Sequence, residues 1–439
     1  ASPGIAVIEP LSTTVSPEGH LVVGGCDVAD LANEFGTPLY ILDIETIKAR
    51  AREYMALSQE YPNVRIAYAS KALSLTALYQ VLDAEGLYFD VVSDGELFTL
   101  LNAGVDPQKA FFHGNNKTQE ELAFAMNKGV GYFVLDNEQE LDRLERVMSQ
   151  QKTAGKVKVF IRYIPEIDAH THEFIQTGKR DTKFGVLKED LPRVIDRILA
   201  NRQLDLRGLH AHIGSQIFDV HPFEVLIERL LDRSMDILRS HGIVLEELSI
   251  GGGVGIQYTQ QDDPPAIADF VVSIACKMKS YLAKIGYPIE PELVLEPGRS
   301  LVANAGITLY SIGGIKHIPG IRTYLSVDGG MADNPRPMTY GALYHADIAT
   351  KMKSPRDHVY TIAGKFCESG DILLRHVHLQ QACPNDLLAV YATGAYNYSM
   401  SSNYNRYRKP AMVMVEQGSA KLVLKRETLE DITRNDLRI

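Results

Sequence analysis

Eight β-type runs, separated mostly by helical stretches, constrain this chain more than any other feature. They lie at residues 65–70, 88–92, 110–113, 132–135, 156–163, 206–212, 247–250 and 293–296. Helical spacing recurs between them, at 94–103 behind the capping box Ser93-Asp94-Gly95-Glu96, and at 120–128, 141–150 and 223–241. Parallel strands need such crossovers, and eight βα units between residues 64 and 296 match a (β/α)8 TIM-type barrel, for which about 250 residues is typical. An open doubly wound sheet is the alternative.

The chain's 439 residues exceed one ordinary domain, and 45% apolar content can fill a sizeable core. After Val302 helical spacing mostly vanishes. Runs at 307–312, 323–327, 358–362, 387–391 and 411–415 alternate with Gly, Pro, Asn and Asp, which predicts a mostly β second domain. The early β-like pieces 21–23 and 39–42 are not needed for the barrel, and 44–59 reads as one helix. The expected division is therefore a barrel over 43–302 and a β-sandwich or β-barrel built from 1–42 plus 303–439.

Ligands of parallel α/β folds bind where the strands end. In the first run Arg65, Ala67, Ala69 and Lys71 share one face, and Ser74 is placed to cap the helix that carries Leu75, Leu78, Tyr79 and Leu82. Lys71 thus stands at a carboxyl end beside two small residues. An amine in a partly dry pocket there can add to an aldehyde as a Schiff base, whereas a solvated lysine would be idle. The seventh run ends in Gly251-Gly252-Gly253-Val254-Gly255 and the eighth in Glu296-Pro297-Gly298-Arg299-Ser300. Bare backbone in these two loops suits a phosphate. Ile256 breaks a GxGxxG pattern and no P-loop occurs, while plain tight turns are the alternative. The sixth run ends in Leu209-His210-Ala211-His212-Ile213-Gly214-Ser215. Two-residue spacing of His210 and His212 without a supporting carboxylate argues little for zinc, so no metal is expected. His212 can lie flat against a ring and Ser215 can bond a phosphate, or both can simply pack.

A formal net charge of −10 speaks against nucleic acid or an anionic membrane surface as partner. No apolar run reaches membrane-spanning length, and residues 1–5 lack a basic stretch leading into an apolar one. Cys26, Cys276, Cys367 and Cys383 show no CxxC spacing. A cytoplasmic protein is expected, and a plastid interior fits equally.

Tyr68-Ala69-Ser70-Lys71-Ala72, His210-Ala211-His212-Ile213-Gly214-Ser215, Gly251-Gly252-Gly253, Glu296-Pro297-Gly298-Arg299 and Cys367-Glu368-Ser369-Gly370-Asp371 stand in an order that resembles the fold-type III, alanine racemase-like pyridoxal-phosphate enzymes. The likeness is nearest to the diaminopimelate decarboxylase family and covers about residues 24–415. Lys365-Phe366 before Cys367 departs from relatives that carry proline in the first position. The resemblance implies pyridoxal 5'-phosphate held by Lys71, with His212 stacked on its ring and Glu296 at its pyridine nitrogen. It places Ser215, Gly252, Gly253, Pro297, Gly298, Arg299, Asp371 and Tyr396 around the cofactor. It also implies Cys367 as proton donor, arriving from the neighbouring subunit of a homodimer. A carboxylate at the ring nitrogen keeps it protonated and so favours loss of CO₂. A substrate that is an amino acid at both ends needs an acid for its distal ammonium, offered by Glu368, and guanidinium for its distal carboxylate, offered by Arg299 and Arg336, with Tyr340 and Tyr396 adding hydroxyls. Arg336 as a solvated loop residue, Cys367 as a small apolar one and Asp371 as a turn residue are the plainer readings. The implied reaction converts meso-2,6-diaminopimelate to L-lysine and CO₂; the alternative is a sister decarboxylase acting on ornithine, arginine or a related basic amino acid. The segment 165–184, with Asp168, His170 and His172, and with His221 further on, is expected to be a mobile loop rather than a metal cluster.

Overall fold

The computed structural model describes residues 8–166 and 180–439, and in it the eight βα units close on themselves. The barrel strands are β1 (Val64–Ala69), β2 (Tyr88–Val91), β3 (Ala110–Phe112), β4 (Tyr132–Leu135), β5 (Val157–Arg162), β6 (Leu204–His210), β7 (Glu247–Ser249) and β8 (Glu292–Leu295). They pair in parallel from β1 round to β8, and β8 pairs back onto β1, which removes the open-sheet alternative. Asp168, His170 and His172 lie outside the described residues.

Strand alternation sends one face of each strand inward. Phe111 stacks on Tyr132 with ring centroids 4.3 Å apart, and Phe160 meets both rings edge-on. Ala67, Val134 and Val294 complete this buried cluster, the small Ala67 leaving room for three rings from neighbouring strands. Arg65, two residues before Ala67, lies at the opposite end from the strand termini. It pairs with Glu247 and Glu292, and Glu247 also takes Arg207. Charge therefore plugs the amino end of the barrel and aromatics fill its waist, and the carboxyl end is where ligands of such barrels bind.

Three local expectations need correction. Helix Thr76–Ala84 starts from Leu75 without a side-chain cap, because the Ser74 hydroxyl is hydrogen-bonded at 2.7 Å to Tyr79 Oη. At helix Asp94–Asn102 Ser93 caps Glu96 N, but the Glu96 carboxylate accepts from Val92 N instead of Ser93 N, so the reciprocal box is incomplete. The helix expected at 44–59 breaks into Ile44–Met55 and Leu57–Glu60.

Contacts divide the chain into two compact units, the first holding the barrel and the second residues 6–49, 256–263 and 299–439. The spine of the second is the 13-residue strand Gly306–Ile318. It pairs antiparallel with Leu39–Asp43, Leu387–Tyr391 and Arg322–Val327, and Leu39–Asp43 pairs in parallel with Ala411–Glu416. Leu21–Val23 instead joins a small sheet with Thr14–Val15 and Cys26–Asp27. Ile307, Leu309, Ala389, Tyr391, Val413 and Val415 pack with Leu39 and Ile41 in its core. Strands Ala346–Ile348, Ile372–Leu379 and Ser419–Leu424 carry no clear sequence signal: Arg375, His376 and His378 interrupt one, and Ser419–Leu424 is a largely exposed edge. Among the described residues no helix is long and apolar enough to cross a membrane.

Candidate active site

The carboxyl end of the barrel collects one polar side chain from nearly every strand. Asp90 is the penultimate residue of β2, His113 follows β3, Asp136 follows β4, Arg162 ends β5, His210 ends β6, Ser249 ends β7 and Glu296 follows β8. Such groups are buried only when they satisfy one another. Glu296 is the hub: His113 Nε2 lies 2.6 Å from its Oε1, His210 Nε2 lies 2.7 Å from its Oε2, and the Ser249 hydroxyl donates to Oε2. Burial works to raise the Glu296 pKa, but His113 and His210 outweigh it and hold the carboxyl well below its usual range. Asp90 has the opposite fate. Burial dominates there and pushes it up to about 8. The fold thus supplies from β8 the carboxylate that the His210 and His212 spacing lacked in sequence. His113 pairs with that carboxylate, and its signal in sequence was only its place as the last residue of the run 110–113.

Four loops close around this hub. Glu296 N donates to Gly251 O at 2.8 Å, Ala69 N to Pro297 O at 2.9 Å and Ile217 N to Gly253 O at 2.9 Å. Gly253 has φ of 113°, and a Cβ there would strike Gly214 O; a Cβ on Gly252 would strike Glu296 O. Glycine is therefore required where these turns cross. His212 is half-buried, and Gly252 N donates toward its Nδ1 at 3.4 Å, which leaves Nε2 carrying the proton. Burial, assisted by Lys71, holds the His212 pKa well down, so the ring is neutral and suited to lie against a flat partner. Lys71 sits in the 3-10 turn Ser70–Ala72 just past β1. The turn buries Ser70 and Ala72 and leaves Lys71 exposed, so the drier pocket expected for its amine is absent from the chain alone. Ser215 is exposed in the turn after β6.

The second unit builds its own cluster around Tyr258. Arg336, only 9% exposed, donates from Nη1 to Tyr344 Oη at 2.7 Å and lies 4.6 Å from the Tyr258 ring centroid. Arg299 donates to Tyr258 Oη and lies 4.7 Å from the Tyr396 ring centroid. Tyr258 and Tyr344 meet edge to face at 5.3 Å. Among the described residues neither guanidinium has a carboxylate partner, so two cations share three phenol rings with no anion to neutralise them. The plainer reading of Arg336 as a solvated loop residue does not hold. Tyr340 is 65% exposed and takes no part in these ring contacts, while Tyr258 and Tyr344 do, unannounced by any motif.

Cys367 and Glu368 are exposed on a turn that Asp371 organises. Its carboxylate accepts from Met331 N at 2.8 Å and Phe366 N at 3.1 Å, and a Cβ on Gly330 or Gly364 would collide with it. Burial raises its pKa to about 6 against those two bonds. Cys367 N donates to Asn405 Oδ1 at 2.8 Å, which ties the turn to the loop after residue 400.

The family model described as "Pyridoxal-dependent decarboxylase, pyridoxal binding domain" matches residues 45–303, more than half of the chain. The chain belongs to the pyridoxal-dependent decarboxylase family. Within that family it is 44% identical over 422 residues to a diaminopimelate decarboxylase of Bacillus subtilis, covering 95% of each chain. It is 45% identical to a diaminopimelate decarboxylase of Synechocystis, over 97% of this chain and 92% of the other. The crystal structure of diaminopimelate decarboxylase from m. jannaschii in co-complex with L-lysine matches with a TM-score of 0.92, 32% identity and 99% coverage of both chains.

The family's cofactor fits what the barrel end contains. Glu296 Oε1 is buried without an aligned hydrogen bond, which leaves an ionised acceptor for a ring N–H. The neutral His212 ring, the glycine-only turns and the exposed Lys71 amine meet the remaining demands of a flat aldehyde bearing a phosphate.

Proposed function

We propose that the chain decarboxylates meso-2,6-diaminopimelate to L-lysine and CO₂, using pyridoxal 5'-phosphate at the barrel mouth. The observation that carries this reading is the pair Arg299 and Arg336, two unneutralised guanidiniums held on Tyr258. A distal carboxylate fits that pair with charge-assisted hydrogen bonds, whereas ornithine or arginine has none to offer.

When bound, the cofactor supplies an aldehyde for amine exchange and a ring that accepts the electron pair released with CO₂. Lys71 presents the amine that anchors it. Glu296 keeps a proton on the ring nitrogen, and His212 covers the ring face. Ser215, Gly252, Gly253, Pro297 and Gly298 surround the phosphate end, with Arg299 and Tyr396 assigned to the same end. Arg299 and Arg336 take the distal carboxylate of the substrate, Glu368 takes its distal ammonium, and Tyr340 and Tyr396 offer further hydroxyls. Cys367 Sγ delivers a proton to the α-carbon after CO₂ departs, and Asp371 holds the turn that carries it. The working form is a homodimer in which Cys367 serves the partner's barrel. Four free cysteines suit a reducing compartment, and the cytoplasm is the assigned location.

Incubating the purified protein with the cofactor and meso-diaminopimelate should release CO₂ and L-lysine in equal amounts, with L-ornithine and L-arginine giving far less. Turnover of ornithine or arginine at a matching rate, or no lysine at all, overturns the assignment.

A further inference from the structure

The two oxygens of Glu296 are used unequally. Oε2 takes His210 Nε2 and the Ser249 hydroxyl, while Oε1 has His113 Nε2 at 2.6 Å, placed out of line for a hydrogen bond. The two imidazoles brace each other edge to face at 4.7 Å. Asp90 Oδ2 stands 3.8 Å from His113 Nε2, and the Asp90 carboxyl is also within hydrogen-bond reach of Glu296. Burial works to lower the His113 pKa, but Asp90 and Glu296 raise it above its usual value. His210 is pushed down to about 4, mainly by burial, and donates as a neutral ring. Lys71, Glu96, Asp136 and Arg162 are the other charged groups that act on this cluster.

We propose that His113 is a positioning residue: it holds Glu296 Oε1 as an ionised acceptor for the ring N–H of the cofactor, while His210 and Ser249 fix Oε2 so that the carboxylate cannot rotate. This rests on the assignment of Glu296 to the ring nitrogen. A buried carboxylate without an opposite charge nearby would take up a proton and lose the capacity to keep the ring nitrogen protonated. His113 acts through Glu296 and touches no reacting atom.

The test compares the affinity of the apo protein for pyridoxal 5'-phosphate with its affinity for the analogue in which CH replaces the ring nitrogen. Both probes keep the aldehyde and the phosphate, so a packing defect weakens both alike and their ratio isolates the nitrogen. The unmutated protein should favour the natural cofactor by roughly tenfold or more, the scale of a hydrogen bond to a charged group. His113→Phe should bring the ratio to within about twofold of unity, and His113→Gln, which keeps a donor but no charge, should lower it by about threefold. Should the phenylalanine variant fail to fold, the glutamine variant decides by itself. An unmoved ratio in a variant that binds both probes overturns the role of His113 alone. Failure of the unmutated protein to form a yellow Lys71-linked complex overturns the proposed function and this role with it.

Discussion

In the barrel, Asp90, His113, His210 and Glu296 stand where parallel strands end, whereas in the second unit Arg299, Arg336, Cys367 and Glu368 stand on short helical turns and loops. The first group is buried and clustered on Glu296 before any ligand arrives, with Glu296 Oε1 and His113 Nε2 left without an aligned hydrogen bond. The second is partly exposed, and its positive charge is left unneutralised. Under the proposed function, the contrast separates groups that would tune a resident ring from groups that would receive a charged substrate. Rigid strand ends suit the first task, because a buried carboxylate tolerates little displacement before its partners are lost. Loops suit the second, because they can present groups to solvent and to what diffuses in.

Four variants bear on this contrast. Lys71→Ala should abolish both the visible absorbance of the cofactor-loaded protein and its turnover; unchanged colour would remove Lys71 from the barrel's share of the chemistry. Cys367→Ala should keep the colour yet lower kcat by roughly 10²- to 10⁴-fold, the range for a lost proton donor. Near-normal turnover would show that the exposed turn contributes only structure. Arg336→Met should lower kcat/KM for meso-diaminopimelate by roughly 10- to 100-fold, equivalent to about 1.5–3 kcal/mol, with the colour intact. An equal loss of cofactor binding would erase the division of labour between the two regions. Asp90→Asn tests the barrel through pH. The Asp90 carboxyl is pushed up to about 8 in the folded chain, above its unfolded value near 3.9. The folded state therefore holds a proton that the unfolded state has lost between about pH 4 and 8, and the group's contribution to stability declines as pH rises through that window. The asparagine variant should lack this decline, which amounts to at most about 1.4 kcal/mol per pH unit in urea unfolding of the apo protein. Parallel pH dependences for the two proteins would show that Asp90 ionises freely.

The sequence was more legible in one region than in the other for a physical reason. Parallel barrel strands are short, apolar on both faces and separated by helices, so each leaves a period change that composition alone reveals, and every strand from β1 to β8 overlaps its expected run. In the β unit, strands such as Ile372–Leu379 mix Arg375 and His378 with apolar residues, and Ser419–Leu424 lies open to solvent, so no periodicity marks them. Candidate residues followed a similar split. Lys71, His212 and Glu296 could be found because motifs and strand ends coincide, but the pairing of Glu296 with His113 is a contact across the barrel that spacing cannot announce. Tyr258 and Tyr344 were invisible for the same reason, since only folding brings them to Arg336. Ser74 misled because its hydroxyl had a better partner in Tyr79 than in the helix start it was expected to cap.

Tyr258 lies in the segment 256–263, which follows β7 in the chain yet belongs to the second compact unit. A hybrid enzyme spliced from two parents at the ends of the barrel would therefore inherit the tyrosine from one ancestor and Arg299 and Arg336 from the other. Whoever shuffles these modules to alter substrate preference must transplant that eight-residue excursion together with the arginines, or the proposed anion receptor will be assembled from mismatched halves.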